Sequence, residues 1–437
     1  MKNEELVTGV INSDKNPVLF TVPKGKFNFA LLTDTIYDYR KNNIPTHLTI
    51  KDKFVFGKTH DNRNIAIYVG NDSFELLTHA LLSPGAYIIS SQNIDENDFM
   101  KYDVMEFRGK VLSQVTDIYK LRSNPIHHSI ETNEYIFELS IHLDNESLSQ
   151  QTYNEVVLEI CFKTPQPLLD CFTHYKRIAE LISFLSYRND IYFNHIILKQ
   201  MNPILSTKMN KSISVDFAEV YVNDIKEDSC KHYYNNICFE DIGTSLPQLI
   251  KIFYDINQQK PSYCLGFIPN NDVDLNIMSH SKIKDICTAL ECEYALQKDN
   301  NSEENTTLIR LIEETKQFVK EFKKNNPQLS DNTYNLIFSS IKNWTFTATE
   351  KSFFLYEKFR NEIGRLNGRY FRKNNNDINE VIKYRNDITQ GSHRIMNQEI
   401  AVTAQALAAV VYCCILLRIG ITKEKIGELC ADKKLLQ

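Results

Sequence analysis

Apolar residues change their spacing along this chain near position 246. Before it they come in short runs that alternate with polar residues or stand between polar turns. Leu48-Thr49-Ile50 and Lys53-Phe54-Val55-Phe56 lead into the turn His60-Asp61-Asn62-Arg63-Asn64, and Ile65-Ala66-Ile67-Tyr68-Val69 follows it. Tyr135 to Leu143 alternates in part, and Glu155 to Phe162 comes after the polar loop Asp144 to Gln151. Ile213 to Val222 reads as a further strand. Short strands with turn signals between them predict a sandwich or barrel. Leu168 to Leu185 departs from this pattern, with Phe172, Tyr175, Ile178, Leu181, Ile182 and Leu185 at helical spacing.

From Leu246 onward the period becomes helical. Leu249, Ile252, Phe253 and Ile256 share one face, and Pro261 to Pro269 reads as a connection. Helices are predicted over Lys282 to Leu296, Thr306 to Phe322, Asn332 to Ile341, Thr349 to Leu366, Ile378 to Thr389 and Asn397 to Ile419. Thr347-Ala348-Thr349-Glu350 has the form of a capping box, and Asn374-Asn375-Asn376 marks a loop before the next helix. Ile400 to Leu417 is apolar enough to suggest a membrane span. Thr403, Gln405 and Tyr412 interrupt it, however, and five alanines keep it slim, so it is expected to lie buried in a bundle. The expected architecture is α+β, with a β-rich, sandwich-like domain over 1–245 and an all-α domain over 246–437.

Composition narrows the function classes only a little. The chain has 437 residues, 42% hydrophobic and 24% charged, which places it among ordinary globular proteins with room for two or three domains. A net charge of −5 argues for neither nucleic acid nor membrane as a whole-chain partner. The charge is uneven: Ser281 to Gln437 holds 24 Lys+Arg against 20 Asp+Glu, or +4, leaving −9 for the residues before it. Ten cysteines include no C-x-x-C pair, and the polar start Met1-Lys2-Asn3-Glu4-Glu5 has no signal-peptide pattern. A cytoplasmic chain with reduced thiols is expected. Cys230-Lys231-His232 with Cys238 is a cysteine–histidine cluster whose spacing fits no standard zinc pattern, so no metal is expected.

The candidate chemistry lies in Tyr384-Arg385-Asn386-Asp387-Ile388-Thr389-Gln390-Gly391. This stretch resembles the R-N-x-x-x-H-G signature of HEPN ribonucleases, with Gln390 where the pattern has histidine and His393 three residues later. Three looser Arg-to-His spacings, Arg122 with His127 or His128 and Arg188 with His195, fall outside the helical part and are discounted. With helices before it and a long apolar helix after it, the C-terminal part resembles the HEPN domain of ApeA-like antiphage proteins. Glu180-Leu181-Ile182-Ser183-Phe184-Leu185, Ala289-Leu290-Glu291 and Leu416-Leu417-Arg418-Ile419-Gly420 carry the rest of that resemblance. It implies a β-rich sensor domain joined to a dimeric ribonuclease that acts in abortive infection. It further implies RNA as substrate, tRNA among the candidates, and an unidentified phage-derived trigger. Two motifs would face each other across the homodimer, which could assemble further, without cofactor or membrane.

Metal-independent RNA cleavage needs a base for the ribose 2′-OH proton, an acid for the leaving oxygen and a cation at the phosphate. Arginine suits the phosphate because its planar fork donates two hydrogen bonds. Histidine suits the proton because it titrates near neutrality. Asn386 would orient either group or cap the helix end. Gln390 hydrogen-bonds but does not titrate. Three explanations stay open: His393 takes over, the chain is a binding-only relative, or a deliberate His→Gln change silences a toxic nuclease. A non-catalytic RNA- or protein-binding regulator is the competing function. In the plainest alternative, Arg385 only forms an ion pair in the bundle, with Glu380 or Asp387. Finally, Arg365, Arg369, Arg372 and Lys373, interleaved with Tyr370 and Phe371 after Lys358 and Arg360, offer a basic face that could track a phosphate backbone or simply be solvated.

Overall fold

The computed structural model describes residues 6–12, 17–26, 29–32, 47–50, 54–68, 74–77, 81–82, 84–92, 101–144, 155–193, 195–202, 214–223, 236–254, 262–296, 303–328, 330–342, 347–364, 372–392 and 394–432. The fold is mixed α+β, with a large antiparallel sheet in the N-terminal half and helices in the C-terminal half. The chain divides into two compact units. One holds Met1–Ile182, Asp190–Tyr233 and Cys238–Lys251, and the other holds Ser183–Asn189, Tyr234–Ile237 and Ile252–Gln437.

The strands are β1 (Leu6–Asn12), β2 (Pro17–Pro23), β3 (Phe29–Leu32), β4 (His47–Ile50), β5 (Phe54–Thr59), β6 (Asn64–Tyr68), β7 (Phe74–Leu77), β8 (Leu81–Leu82), β9 (Ala86–Ser90), β10 (Lys101–Arg108), β11 (Ile126–Glu131), β12 (Ile136–Leu143), β13 (Val156–Pro167), β14 (His195–Met201) and β15 (Ser214–Val222). Thirteen of them hydrogen-bond in the single order β11-β12-β13-β10-β14-β15-β9-β6-β5-β1-β2-β3-β8, while β4 and β7 form a separate ribbon. The sheet curls strongly at one end. β9 and β3 stand five steps apart in that order, about 24 Å in a flat sheet at ~4.8 Å per strand. Yet Phe29 and Tyr87 meet edge to face at 5.2 Å, and the Gly25 N–H donates to the Tyr87 hydroxyl at 2.8 Å. Val7, Ile11, Phe20, Val22, Val55, Ile65, Ile67 and Ile89 fill the inside of that curl. Helix α1 (Cys171–Ser186) supplies further rings: Phe172 lies 6.0 Å from Phe54, and His174 lies 4.6 Å from Phe162.

Strand expectations hold where the alternation is clean. The turn at His60 closes the β5–β6 hairpin, with Asn62 at φ 64. β10 escapes the pattern because Asp103, Glu106 and Arg108 interrupt it; Glu106 is 2% exposed and accepts from Arg108 at 2.5 Å and from Lys199 on β14.

The long helices that follow are α2 (Leu246–Tyr254), α3 (His280–Leu296), α4 (Glu303–Asn325), α5 (Asp331–Lys342), α6 (Ala348–Lys358), α7 (Asn375–Thr389), α8 (Gln398–Arg418) and α9 (Lys423–Ala431). The expected helix from Thr349 to Leu366 ends early: Phe359, at φ −121, separates α6 from a short turn over Arg360–Ile363. Within Pro261 to Pro269, expected as connection, Ser262–Leu265 forms a helical turn. Ile256 lies outside the described residues. The capping box at Thr347 is present, its hydroxyl accepting from Glu350 N–H at 3.2 Å while Glu350 accepts from Thr347 N–H at 2.7 Å.

α8 is the axis of the helical unit, packed against α3, α6, α7 and α9. It is long and apolar enough to cross a membrane, but 78% of its most apolar stretch is buried within the protein. Tyr412 stacks on Phe184 at 4.5 Å and donates from its hydroxyl to the Phe184 carbonyl at 3.1 Å. α8 therefore lies largely buried inside the bundle, as expected from its interrupted apolar run.

Candidate functional site

Helix α7 presents the arginine–asparagine segment. Asn374 caps its start by accepting from Asn376 and Asp377 N–H at 2.8 and 3.1 Å, and Asp377 returns a hydrogen bond from Asn374 N–H at 2.9 Å. The asparagine run expected as a loop thus contributes the cap and the first turn. Ile378, Val381, Ile382 and Tyr384 are buried against the bundle, which leaves Arg385 half-buried and Asn386 exposed. The helix ends in a Schellman motif: Gly391 N–H donates to the Ile388 carbonyl at 3.0 Å and Ser392 N–H to the Asp387 carbonyl at 2.9 Å. Gly391 sits at φ 81, a conformation that a side chain makes costly. Gln390 is the exposed residue just before it.

Arg385 is not free to meet an anion. Its Nη2 donates to Glu291 on α3, and its Nη1 donates to Asn386 Oδ1 at 3.2 Å. Cys287, one turn back on α3, is pushed up to about 11 by burial, with Arg385 pulling the other way. Glu380 and Asp387, the partners expected from sequence, belong instead to Arg394, at 2.6 and 3.0 Å. The hydrogen bond from Arg394, aided by Lys383, holds the Glu380 carboxyl below the usual range. The local charges are therefore paired, and a phosphate here must compete with a carboxylate for either arginine.

Beside the end of α7 opens a cleft of about 690 Å³, lined by Met278, Ser279, His280, Ile388, Gly391, Ser392, Arg394, Ile395 and Met396. Arg385 is not one of these residues, but on the helix it is the i,i+3 neighbour of Ile388. His280 opens α3, and its Nδ1 and the Tyr384 hydroxyl lie 2.5 Å apart, with the rings stacked at 5.7 Å and 22°. Arg394 lies over the Tyr384 ring at 6.0 Å. Burial raises the Tyr384 phenol above its ordinary range, while Arg394 lowers it. His280 and Arg394 were not singled out in the sequence, and Tyr384 entered only as the first residue of the motif stretch, without a role. Nothing there could have joined His280 to Tyr384, 104 positions away, although Arg394 stands beside the motif.

The other sequence candidates scatter. His393, Arg365, Arg369, Tyr370 and Phe371 lie outside the described residues. Arg372 is exposed and Lys373 buried, and neither is helical. Lys373 Nζ pairs with Glu399 at 3.2 Å while its N–H donates to the Tyr356 hydroxyl at 2.8 Å. Arg360 pairs with Glu357 at 3.1 Å. Of the discounted pairs, Arg122 lies on a short helix and His127 and His128 on β11, Arg188 is buried after α1, and His195 opens β14. Asn189 clamps the turn at Leu265 and Ile268, donating to both carbonyls at 3.0 Å. Cys230 and His232 also lie outside the described residues, and no cluster of three His, Cys, Asp or Glu side chains suited to a metal occurs among those described. No family model, curated protein or solved structure matches this chain.

Proposed function

We propose that the chain is a HEPN-type, metal-independent endoribonuclease of ApeA-like organisation, with the helical unit cutting RNA and the β-rich, sandwich-like unit sensing infection. The observation that carries this reading is the arginine–asparagine segment at the exposed end of α7, one turn from a cleft that holds a histidine, two serines and a second arginine. Arg385, once released from Glu291, would neutralise charge on the phosphate as it becomes five-coordinate. Asn386 would orient the substrate or the partner motif. The protein would act in the cytoplasm as a homodimer, RNA being its substrate and a phage product its trigger, with cell arrest as the outcome.

Two observations favour a second reading, a non-catalytic RNA- or protein-binding regulator: Gln390 carries no titrating group and Arg385 is already paired. Replacing Gln390 separates the two. Gln390→His should raise cleavage of single-stranded RNA by about 10²–10⁴ with EDTA present. Arg385→Ala should abolish cleavage in that background while the melting temperature holds. A Gln390→His protein that cuts no RNA, or cuts only with added magnesium or manganese, would leave the regulator.

A further inference from the structure

The cleft holds a titratable side chain that the arginine–asparagine segment does not provide. His280 stands at the first position of α3, just after Ser279, whose hydroxyl accepts from Lys282 N–H at 3.2 Å and so starts the helix. The residue is exposed and lines the cleft with Met278, Ser392, Arg394 and Met396. Its Nδ1 is engaged by Tyr384, a fully buried residue with Arg394 over its ring. That contact fixes the plane of the imidazole and leaves Nε2 for whatever enters the cleft. The charged groups nearby are themselves matched: Arg394 is held by Glu380 and Asp387, and Lys282 by Asp274 at 2.8 Å.

We propose that His280 is the catalytic base of RNA cleavage in this chain, with Tyr384 as its positioning residue. The proposal rests on the ribonuclease reading above. A cleft of about 690 Å³ has the size of a small-ligand site. Its apolar walls, Met278 and Met396, suit the face of an unstacked base, so the substrate is single-stranded RNA. With Nδ1–H donated to the Tyr384 oxygen, the Nε2 lone pair takes the ribose 2′-OH proton. The 2′-oxygen bonds to phosphorus, the bond from phosphorus to the 5′-oxygen breaks, and that oxygen takes a proton from water. The hydroxide so formed is neutralised by the imidazolium proton. The products are a 2′,3′-cyclic phosphate and a 5′-hydroxyl, and nothing is oxidised or reduced.

The test uses the full chain, a labelled single-stranded RNA and EDTA, with rates read from pH 5 to 9. The unsubstituted chain should cut slowly, His280→Ala should lose about 10²–10⁴ of that rate, and added imidazole should restore part of it. Tyr384→Phe should lose less and move the pH profile, an effect that a purely structural tyrosine would not have. His280→Gln, which keeps a polar side chain, provides a second variant should His280→Ala melt early. Retention of cleavage by a folded His280→Ala, loss of it in His393→Ala alone, or no cleavage by the unsubstituted chain would each overturn the proposal. A Gln390→His chain that still cuts without His280 upholds the ribonuclease and sinks this inference. Silence from both chains sinks both.

Discussion

A single carboxylate decides how available the motif arginine is. Glu291 holds Arg385 although both side chains reach solvent, Arg385 at 23% and Glu291 at 45% exposure. Such a pair contributes little to stability, typically under about 1 kcal/mol, so its removal should spare the fold. Glu291→Gln should therefore raise RNA affinity and steepen its fall with salt, since one more cation meets the phosphate backbone. Titration of a fluorescent RNA at several salt concentrations reads both effects, and unchanged binding would show that Arg385 takes no part. Neither Glu291 nor His280 was legible in the sequence as a member of the site. Arg385 and Glu291 stand 94 positions apart, and only packing of α3 against α7 joins them.

At the scale of elements, legibility followed regularity. α7 was readable because its apolar residues keep helical spacing from cap to end, and α8 because its apolar run is too long for a strand. β10 was not, because Glu106 occupies a buried position that should by pattern be apolar. Burial would raise the Glu106 carboxyl, but hydrogen bonds from Lys199 and Arg108 outweigh it and hold the group below its ordinary range. The sign follows: a carboxyl depressed in the folded state stabilises above the unfolded range of about 4.3 and loses that stabilisation as pH falls through the folded value. Urea unfolding should show stability falling between neutral pH and pH 3. Glu106→Ala should cost about 3–5 kcal/mol near neutrality and much less in acid. An equal cost at both pH values would mean that the charge network is not what the carboxylate supports.

For the molecule as a whole, the sequence foretold the change from strands to helices, but not the curl of the sheet or the assignment of Ser183–Asn189 and Tyr234–Ile237 to the helical unit, which depend on residues far apart in the chain. The proposed dimer must use a surface other than α8. Asn386 and Gln390 are exposed and remain available to meet a second copy. Light scattering at micromolar concentration should return twice the 50.9 kDa of one chain, and a monomer at every concentration would remove the paired-motif arrangement.

The stack of Tyr412 on Phe184 spans 228 positions. During synthesis, the segment that ends α1 leaves the ribosome long before α8 exists to cover it. The helical unit is thus built from segments far apart in the polypeptide, and its axis is complete only once α8 has been made. On the proposed ribonuclease reading, this order would keep the activity silent in the nascent chain until α8 has emerged.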